Sequence, residues 1–266
     1  MLSTPEIMAD LLLDDLQIIS PEDLLLLEKI VWARNAQVIY EHLEGSEARL
    51  LYIPKGRSFI TISSEETYLP RQRFSIAHEL GHLELHRKEL GSISCSSQAI
   101  SPLEAGRENI EVQANQFASC LLLPSRFVSS PFENYPPSFV IAKEISSKFA
   151  VSLTAASSRY MQFASESLAF VISQGGQIIR FIPSQAFLDD DLFIDVGADL
   201  KDNTVADRLS RGITAKDDWH ASPASSWLRG NHFMQGAEVK EWSSYSQRLD
   251  LTLSLIWVDN DLFDDW

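Results

Sequence analysis

The sequence predicts an α+β protein of two or more domains, in which long helices dominate the first part of the chain and strands dominate the last. Two short apolar runs separated by turn residues predict a pair of strands over 48–64. Amphipathic spacing predicts two helices, over 71–88 and 103–123. Alternating runs on both sides of Gly175-Gly176 predict a hairpin. A chain of 266 residues is long enough to form more than one hydrophobic core.

Further elements follow from local signals along the chain. Ser20, followed by Pro21, predicts the capped start of a first helix. The strand at 58–63 precedes the helix at 71–88, and we expect it at a sheet edge, where an extended substrate could add as a further strand. Two short helices are predicted over 138–163, with Ser152 capping the second, which is the pattern of a helix–turn–helix.

The composition excludes several classes of protein. An apolar fraction of 45% and a charged fraction of 22% are typical of a globular chain and exclude a wholly disordered one. Acidic residues outnumber basic ones 37 to 22, so the net charge of −15 disfavours direct binding of nucleic acid and favours a basic protein partner. The sequence shows neither a signal peptide nor an apolar run long enough to span a membrane, and its two cysteines form no disulfide framework. We therefore expect a cytoplasmic protein that does not associate with membranes.

The sharpest motif is the run His78-Glu79-Leu80-Gly81-His82, an H-E-x-x-H within a helical pattern. Two imidazoles four residues apart on a helix lie about 40° apart in projection and about 6 Å apart along the axis, so both can bind one zinc ion. Glu79 can reach a water molecule beside that ion and act as general base and proton donor. Taken alone, the motif also arises by chance on a polar helix face.

A catalytic zinc site usually has three protein ligands, so a third must come from elsewhere. His86 extends the histidine stripe, but it lies about 12 Å from His78 along a straight helix, which is too far to share one ion. We therefore give His86 a supporting or structural role. The next helix offers Glu108 and Glu111, and we favour Glu111 because it lies at the edge of the apolar stripe, where it could enter a shared interface.

Two segments of the chain together resemble the ImmA/IrrE family of metallopeptidases. They are RQRFSIAHELGHLELH, over 71–86, and EVQANQFA, over 111–118, followed by LLLP. The resemblance is sharp over about 50–125 and weak beyond 165. The family often has a second acid where this chain has Gln113, a departure with no obvious effect on metal binding.

The resemblance implies a minimal zincin-like fold, with a small mixed sheet beside the active-site helices. It also implies His78 and His82 as metal ligands, Glu111 as the third ligand and Glu79 as the catalytic acid/base. The cofactor implied is Zn²⁺, with Mn²⁺ as an alternative. Enzymes of this family cleave a helix–turn–helix repressor of the XRE type and thereby switch on a stress response or a mobile element.

We expect three domains: a metallopeptidase domain over 1–125, a helical helix–turn–helix-like extension over 126–167, and a smaller C-terminal α/β domain over 168–266 that is sensory or substrate-binding. Two other functions stay open. The same fold could bind a regulator without hydrolysing it, or 138–163 could bind DNA, against which the net charge argues.

Overall fold

The computed structural model describes residues 4–87, 104–129, 135–229, 236–247 and 249–258; for 104–108 it describes the backbone alone. Helices and strands both occur within these residues. The helices are α1 Thr4–Asp15, α2 Pro21–Leu24, α3 Leu27–Ala33, α4 Leu69–Leu85, α5 Glu104–Leu122, α6 Ser125–Val128, α7 Phe139–Phe149, α8 Leu153–Phe163, α9 Gln185–Asp189, α10 Val205–Ser210 and α11 Ala224–Trp227. The strands are β1 Ala36–Glu41, β2 Ala48–Leu51, β3 Ser58–Ser63, β4 Leu168–Gln174, β5 Gln177–Pro183, β6 His220–Pro223, β7 Glu238–Ser246 and β8 Leu251–Trp257.

The chain divides into two compact units. The first comprises Met1–Ser130 and Glu144–Ala156, and the second comprises Pro131–Lys143 and Ser157–Trp266. The division into three domains at 125 and 167 stays a prediction.

Both helices of the predicted helix–turn–helix contribute residues to each unit. Those two helices are present as α7 and α8, and the Ser152 hydroxyl accepts a hydrogen bond from Ala155 N at 3.1 Å, as expected of a cap.

The predicted capped helix is present, but it is short and it is not the first. Ser20 and Asp23 form a capping box, in which the Ser20 hydroxyl accepts from Asp23 N at 3.4 Å and the Asp23 carboxylate accepts from Ser20 N at 3.0 Å. The helix ends after one turn, at Leu24, and α3 then begins at Leu27. Helix α1 precedes both and packs against α4 and α5.

The first unit contains a mixed three-stranded sheet in the order β1-β3-β2. β1 pairs with β3 in parallel and β2 pairs with β3 in antiparallel fashion. The expectation that β3 lies at an edge is therefore wrong. Its central position agrees with its sequence, because Ile60 and Ile62 are fully buried and a central strand is covered by neighbours on both sides. The edge strand beside α4 is β2.

Polar contacts hold helix α4 in place near its start and in its last turn. The Arg73 guanidinium is buried and donates to the carbonyl oxygens of Leu24 and Leu25, at 2.9 and 3.3 Å. In the last turn, the Glu84 carboxylate accepts two hydrogen bonds from Arg34, from Nε at 3.2 Å and from Nη2 at 2.7 Å. A bidentate pair of this kind constrains orientation as well as distance, so these contacts hold the helix that carries the H-E-x-x-H motif.

The second unit contains a wholly antiparallel five-stranded sheet in the order β5-β4-β8-β7-β6. The predicted hairpin is confirmed, since β4 and β5 are joined at Gly175 and Gly176, whose φ angles of +57° and +81° favour glycine. In strand β7, the fully buried Glu241 carboxylate accepts hydrogen bonds from five donors. These donors are the backbone N–H groups of Val205 and Ala206, the hydroxyls of Ser222 and Ser243, and Nε1 of Trp227.

Candidate metal centre

Helix α4 has an apolar side and a histidine side. Ile76, Leu80 and Leu83 are buried at 3%, 0% and 1% exposure, as the helical spacing predicts. His78 and His82 occupy successive turns on another face of the same helix, and their side chains keep 17% and 11% exposure. The two rings therefore lie at a margin of the core, where they are shielded from most solvent but remain accessible.

Helix α5 approaches α4 closely at Gly81. A Cβ atom at this position would lie 3.0 Å from Cδ1 of Phe117 and 3.2 Å from the carbonyl oxygen of Ala114, both in α5. Contacts this short are tighter than ordinary packing allows, so the absence of a side chain lets the two backbones meet. Glu111 lies one turn before Ala114, and the close approach brings its carboxylate to the histidines.

Three donor atoms converge between the two helices. Nε2 of His78 and Nε2 of His82 are 3.0 Å apart, and the Glu111 carboxylate lies 3.1 Å from the first and 3.4 Å from the second. A tetrahedral ion with ligand bonds of about 2.0–2.2 Å keeps neighbouring donors roughly 3.3–3.6 Å apart. The spacing and the chemistry of this donor set fit a divalent metal ion such as zinc. We call His78, His82 and Glu111 the donor triad.

Glu79 follows directly after the first histidine and has an unusual acidity. Burial, together with the negative charge of Glu111, raises the pKa of Glu79 to about 7. A carboxyl group with this pKa exchanges its proton near neutral pH, which is the property of a general acid or base.

The environment of His82 favours the neutral imidazole. Burial, together with the adjacent His78, lowers the pKa of His82 to about 4, although Glu111 opposes the shift. A neutral ring is the form that binds metal ions.

The remaining ring nitrogens of the two histidines contact other side chains. Nδ1 of His78 lies 3.0 Å from Oδ1 of Asn115, and Nδ1 of His82 lies 3.2 Å from Nδ1 of His86. Nε2 of His86 lies in turn 3.0 Å from Oε1 of Gln113. His86 thus lies behind the donor triad rather than within it.

The structure brings together the three residues that the sequence singled out as ligands. The side chain of the alternative Glu108 lies outside the described residues. The sequence analysis missed the contact of Gln113 with His86. The four-residue spacing of Asn109 and Gln113 on one helix could have predicted their mutual hydrogen bond. It could not have predicted the contact of Gln113 with His86, which depends on how the two helices pack.

A pair of helical imidazoles completed by a carboxylate from a following helix is the kind of site that metallopeptidases use. The family comparison agrees with this class, because residues 33–161 match the model of a peptidase family described as the IrrE N-terminal-like domain. Residues 33–161 therefore form a domain of the ImmA/IrrE family of metallopeptidases, and this family implies a divalent metal.

Among solved structures, a Mycobacterium tuberculosis transcriptional regulator is similar to this chain, with a TM-score of 0.58 and 14% identity. The match covers 96% of this chain and 76% of that one, and at this identity the likeness is one of fold. No curated protein matches the chain in sequence. Within the described residues, no helix combines the length and the apolar character that crossing a bilayer requires.

Proposed function

We propose that this protein is a zinc-dependent endopeptidase that cleaves a helix–turn–helix transcriptional repressor of the XRE type, and thereby releases a stress-response or mobile-element regulon. The observation that carries the hydrolytic part is the donor triad with Glu79 beside it. The repressor substrate rests on the family resemblance, and the transcriptional regulator found among the solved structures is compatible with it.

In this proposal His78, His82 and Glu111 hold the metal ion, which is Zn²⁺ or, as an alternative, Mn²⁺. When bound, the ion supplies Lewis acidity, which polarises the scissile carbonyl and acidifies water. The Glu111 side chain is 58% exposed, so the triad opens toward solvent on the side from which a polypeptide can enter.

Glu79 moves the proton. Its carboxylate accepts a proton from the attacking water and returns it to the amine that leaves. In the metal-free protein burial raises the pKa of Glu79, which makes its carboxyl group a better proton acceptor than an exposed glutamate.

The edge strand β2 provides a place for the substrate backbone. β2 pairs with β3 along one side, and within the described part of the sheet its other side has no partner strand. An extended segment of the substrate can pair with this side, where main-chain hydrogen bonds would hold it beside α4.

The test is co-expression with candidate XRE-type repressors from the same genome, comparing the wild type with Glu79→Gln. The wild type is expected to yield two repressor fragments. The variant should lose at least about 100-fold in cleavage rate, because general acid–base catalysis contributes that much or more, and it should retain one zinc per chain. Glu44→Gln, the same substitution at an exposed position of the first unit, is the matched control and should cleave normally.

Two results would contradict the proposal. Loss of zinc from Glu79→Gln would make Glu79 a ligand rather than the base. Binding of the repressor by the wild type without any cleavage would indicate the non-hydrolytic alternative. Casein is a poor substitute substrate here, because a very specific enzyme could leave it intact.

A further inference from the structure

Residues of helix α5 support both histidines on the side away from Glu111, His78 by direct contact and His82 through His86. Asn115 contacts Nδ1 of His78 directly at 3.0 Å. His82 is contacted through His86, which is 5% exposed and lies between Nδ1 of His82 and the amide of Gln113, at 3.2 and 3.0 Å. Every group in this arrangement is an amide or an imidazole, so among the side chains that the structure describes no carboxylate contacts Nδ1 of either ring.

The hydrogen-bonding groups of Gln113 determine which atoms donate and which accept in the contacts from Gln113 through His86 to His82. Its amide nitrogen donates to Oδ1 of Asn109 at 3.1 Å, which leaves its oxygen, a pure acceptor, toward His86. Nε2 of His86 must therefore carry the hydrogen. In its neutral form His86 has only this one N–H, so its Nδ1 is then the acceptor and Nδ1 of His82 the donor.

With its hydrogen on Nδ1, His82 has none on Nε2. The lone pair of Nε2 therefore faces the space between His78 and Glu111. For His78, the amide oxygen of Asn115 likewise favours hydrogen on Nδ1 and a lone pair on Nε2. In metal sites the hydrogen bond on one ring nitrogen decides which nitrogen is free to bind the ion.

We propose that Gln113, acting through His86, and Asn115, acting directly, are positioning residues that set the tautomers of His82 and His78 for metal binding. This inference rests on the metal site of the proposed function. It also gives a role to Gln113, where the family often has an acid. The neutral amide supplies a hydrogen-bond acceptor for His86 without adding a charge.

The test compares Gln113→Leu with Gln113→Glu, using zinc affinity measured by competition with a fluorescent chelator at one pH. Gln113→Leu keeps the size of the side chain and removes the acceptor, and it should weaken zinc binding about 10- to 100-fold, the usual effect of losing such a partner. Gln113→Glu restores an acceptor oxygen and should recover most of the affinity. Gln116→Leu, the same substitution at an exposed position of α5, is the matched control.

A second readout is the tautomer itself. Long-range ¹H–¹⁵N NMR of the zinc-free protein should show His82 with hydrogen on Nδ1 in the wild type and a mixture of both tautomers in Gln113→Leu. Because Asn115 is exposed, Asn115→Ala leaves the interior intact and should weaken zinc binding in the same direction through His78.

The outcomes separate this inference from the proposed function. A wild type that binds no zinc would overturn both. A wild type that binds zinc, together with Gln113→Leu and Asn115→Ala variants of unchanged affinity and tautomer, would overturn the positioning role alone and leave the peptidase proposal standing.

Discussion

Burial decides the chemistry of Glu79 at the scale of single residues. The group titrates near pH 4.5 in an unfolded chain and near 7 in the folded protein. Between these values the folded state keeps a proton that the unfolded state has lost. The resulting contribution to stability is complete below pH 4.5 and disappears as the pH rises through about 7.

This reasoning predicts the stability of the metal-free protein relative to its Glu79→Gln variant, in which position 79 does not titrate. Between about pH 5 and pH 8 the wild type should lose on the order of 2–3 kcal/mol relative to the variant. Urea unfolding of chelator-treated protein at both pH values measures this difference. A difference that stays constant with pH would mean that Glu79 has an ordinary acidity in the folded state.

The donor triad could be predicted from the sequence because each of its parts depends on local helix geometry. His78 and His82 follow from a four-residue spacing, and Glu111 follows from its place at the edge of an apolar stripe. The contact of Gln113 with His86 could not be predicted in the same way, because it depends on the rotation and distance of two helices that are separate in the chain.

At the scale of elements, the close approach of α4 and α5 gives the next prediction. In Gly81→Ala, the gain in helix propensity of about 1 kcal/mol is offset by the contact of the new Cβ with α5. Two of the three nearest atoms belong to the Ala114 backbone, which cannot rotate away as a side chain can, so α5 must shift and move Glu111.

We therefore expect Gly81→Ala to weaken zinc binding several-fold while the free energy of unfolding changes by only about 1 kcal/mol. Gly81→Ser, with a larger side chain, should weaken zinc binding further. Chelator competition and urea unfolding measure the two quantities. An unchanged zinc affinity in both variants would show that the helix separation does not control the donor triad.

Local signals predicted the elements whose formation is local. The β4–β5 hairpin followed from its two glycines, and the cap at Ser20 followed from the residues beside it. The parallel pairing of β1 with β3 carried no such signal, since parallel strands are brought together by a crossover rather than by a turn. The position of β3 at the centre of its sheet was missed for this reason.

At the scale of the whole molecule, the charge predicts what the protein does not bind. A net charge of −15 repels phosphates, and the helix pair over 138–163 carries three basic residues, Lys143, Lys148 and Arg159. Lys143 is moreover paired with Asp217 at 2.9 Å. We expect no retardation of random duplex DNA in a gel-shift assay at low salt. Salt-sensitive retardation would instead favour the DNA-binding alternative.

The two compact units could be predicted only in part from the sequence. The change from helices to strands near residue 165 is visible in the pattern, and it falls close to the start of the second sheet at Leu168. Helices α7 and α8 are each divided between the two units, and this could not be predicted from the sequence. Long-range packing decides to which unit each turn of a helix belongs.

Glu241 has a consequence for how the second unit can be shortened. Its five donors come from α10, β6, α11 and β7 itself, stretches that are up to 38 positions apart (243 minus 205). Leaving those donors inside an apolar interior without their shared acceptor is costly. A truncated chain that ends ahead of β7 lacks this shared acceptor, so we expect it to lose the whole second unit rather than to keep a smaller version of it.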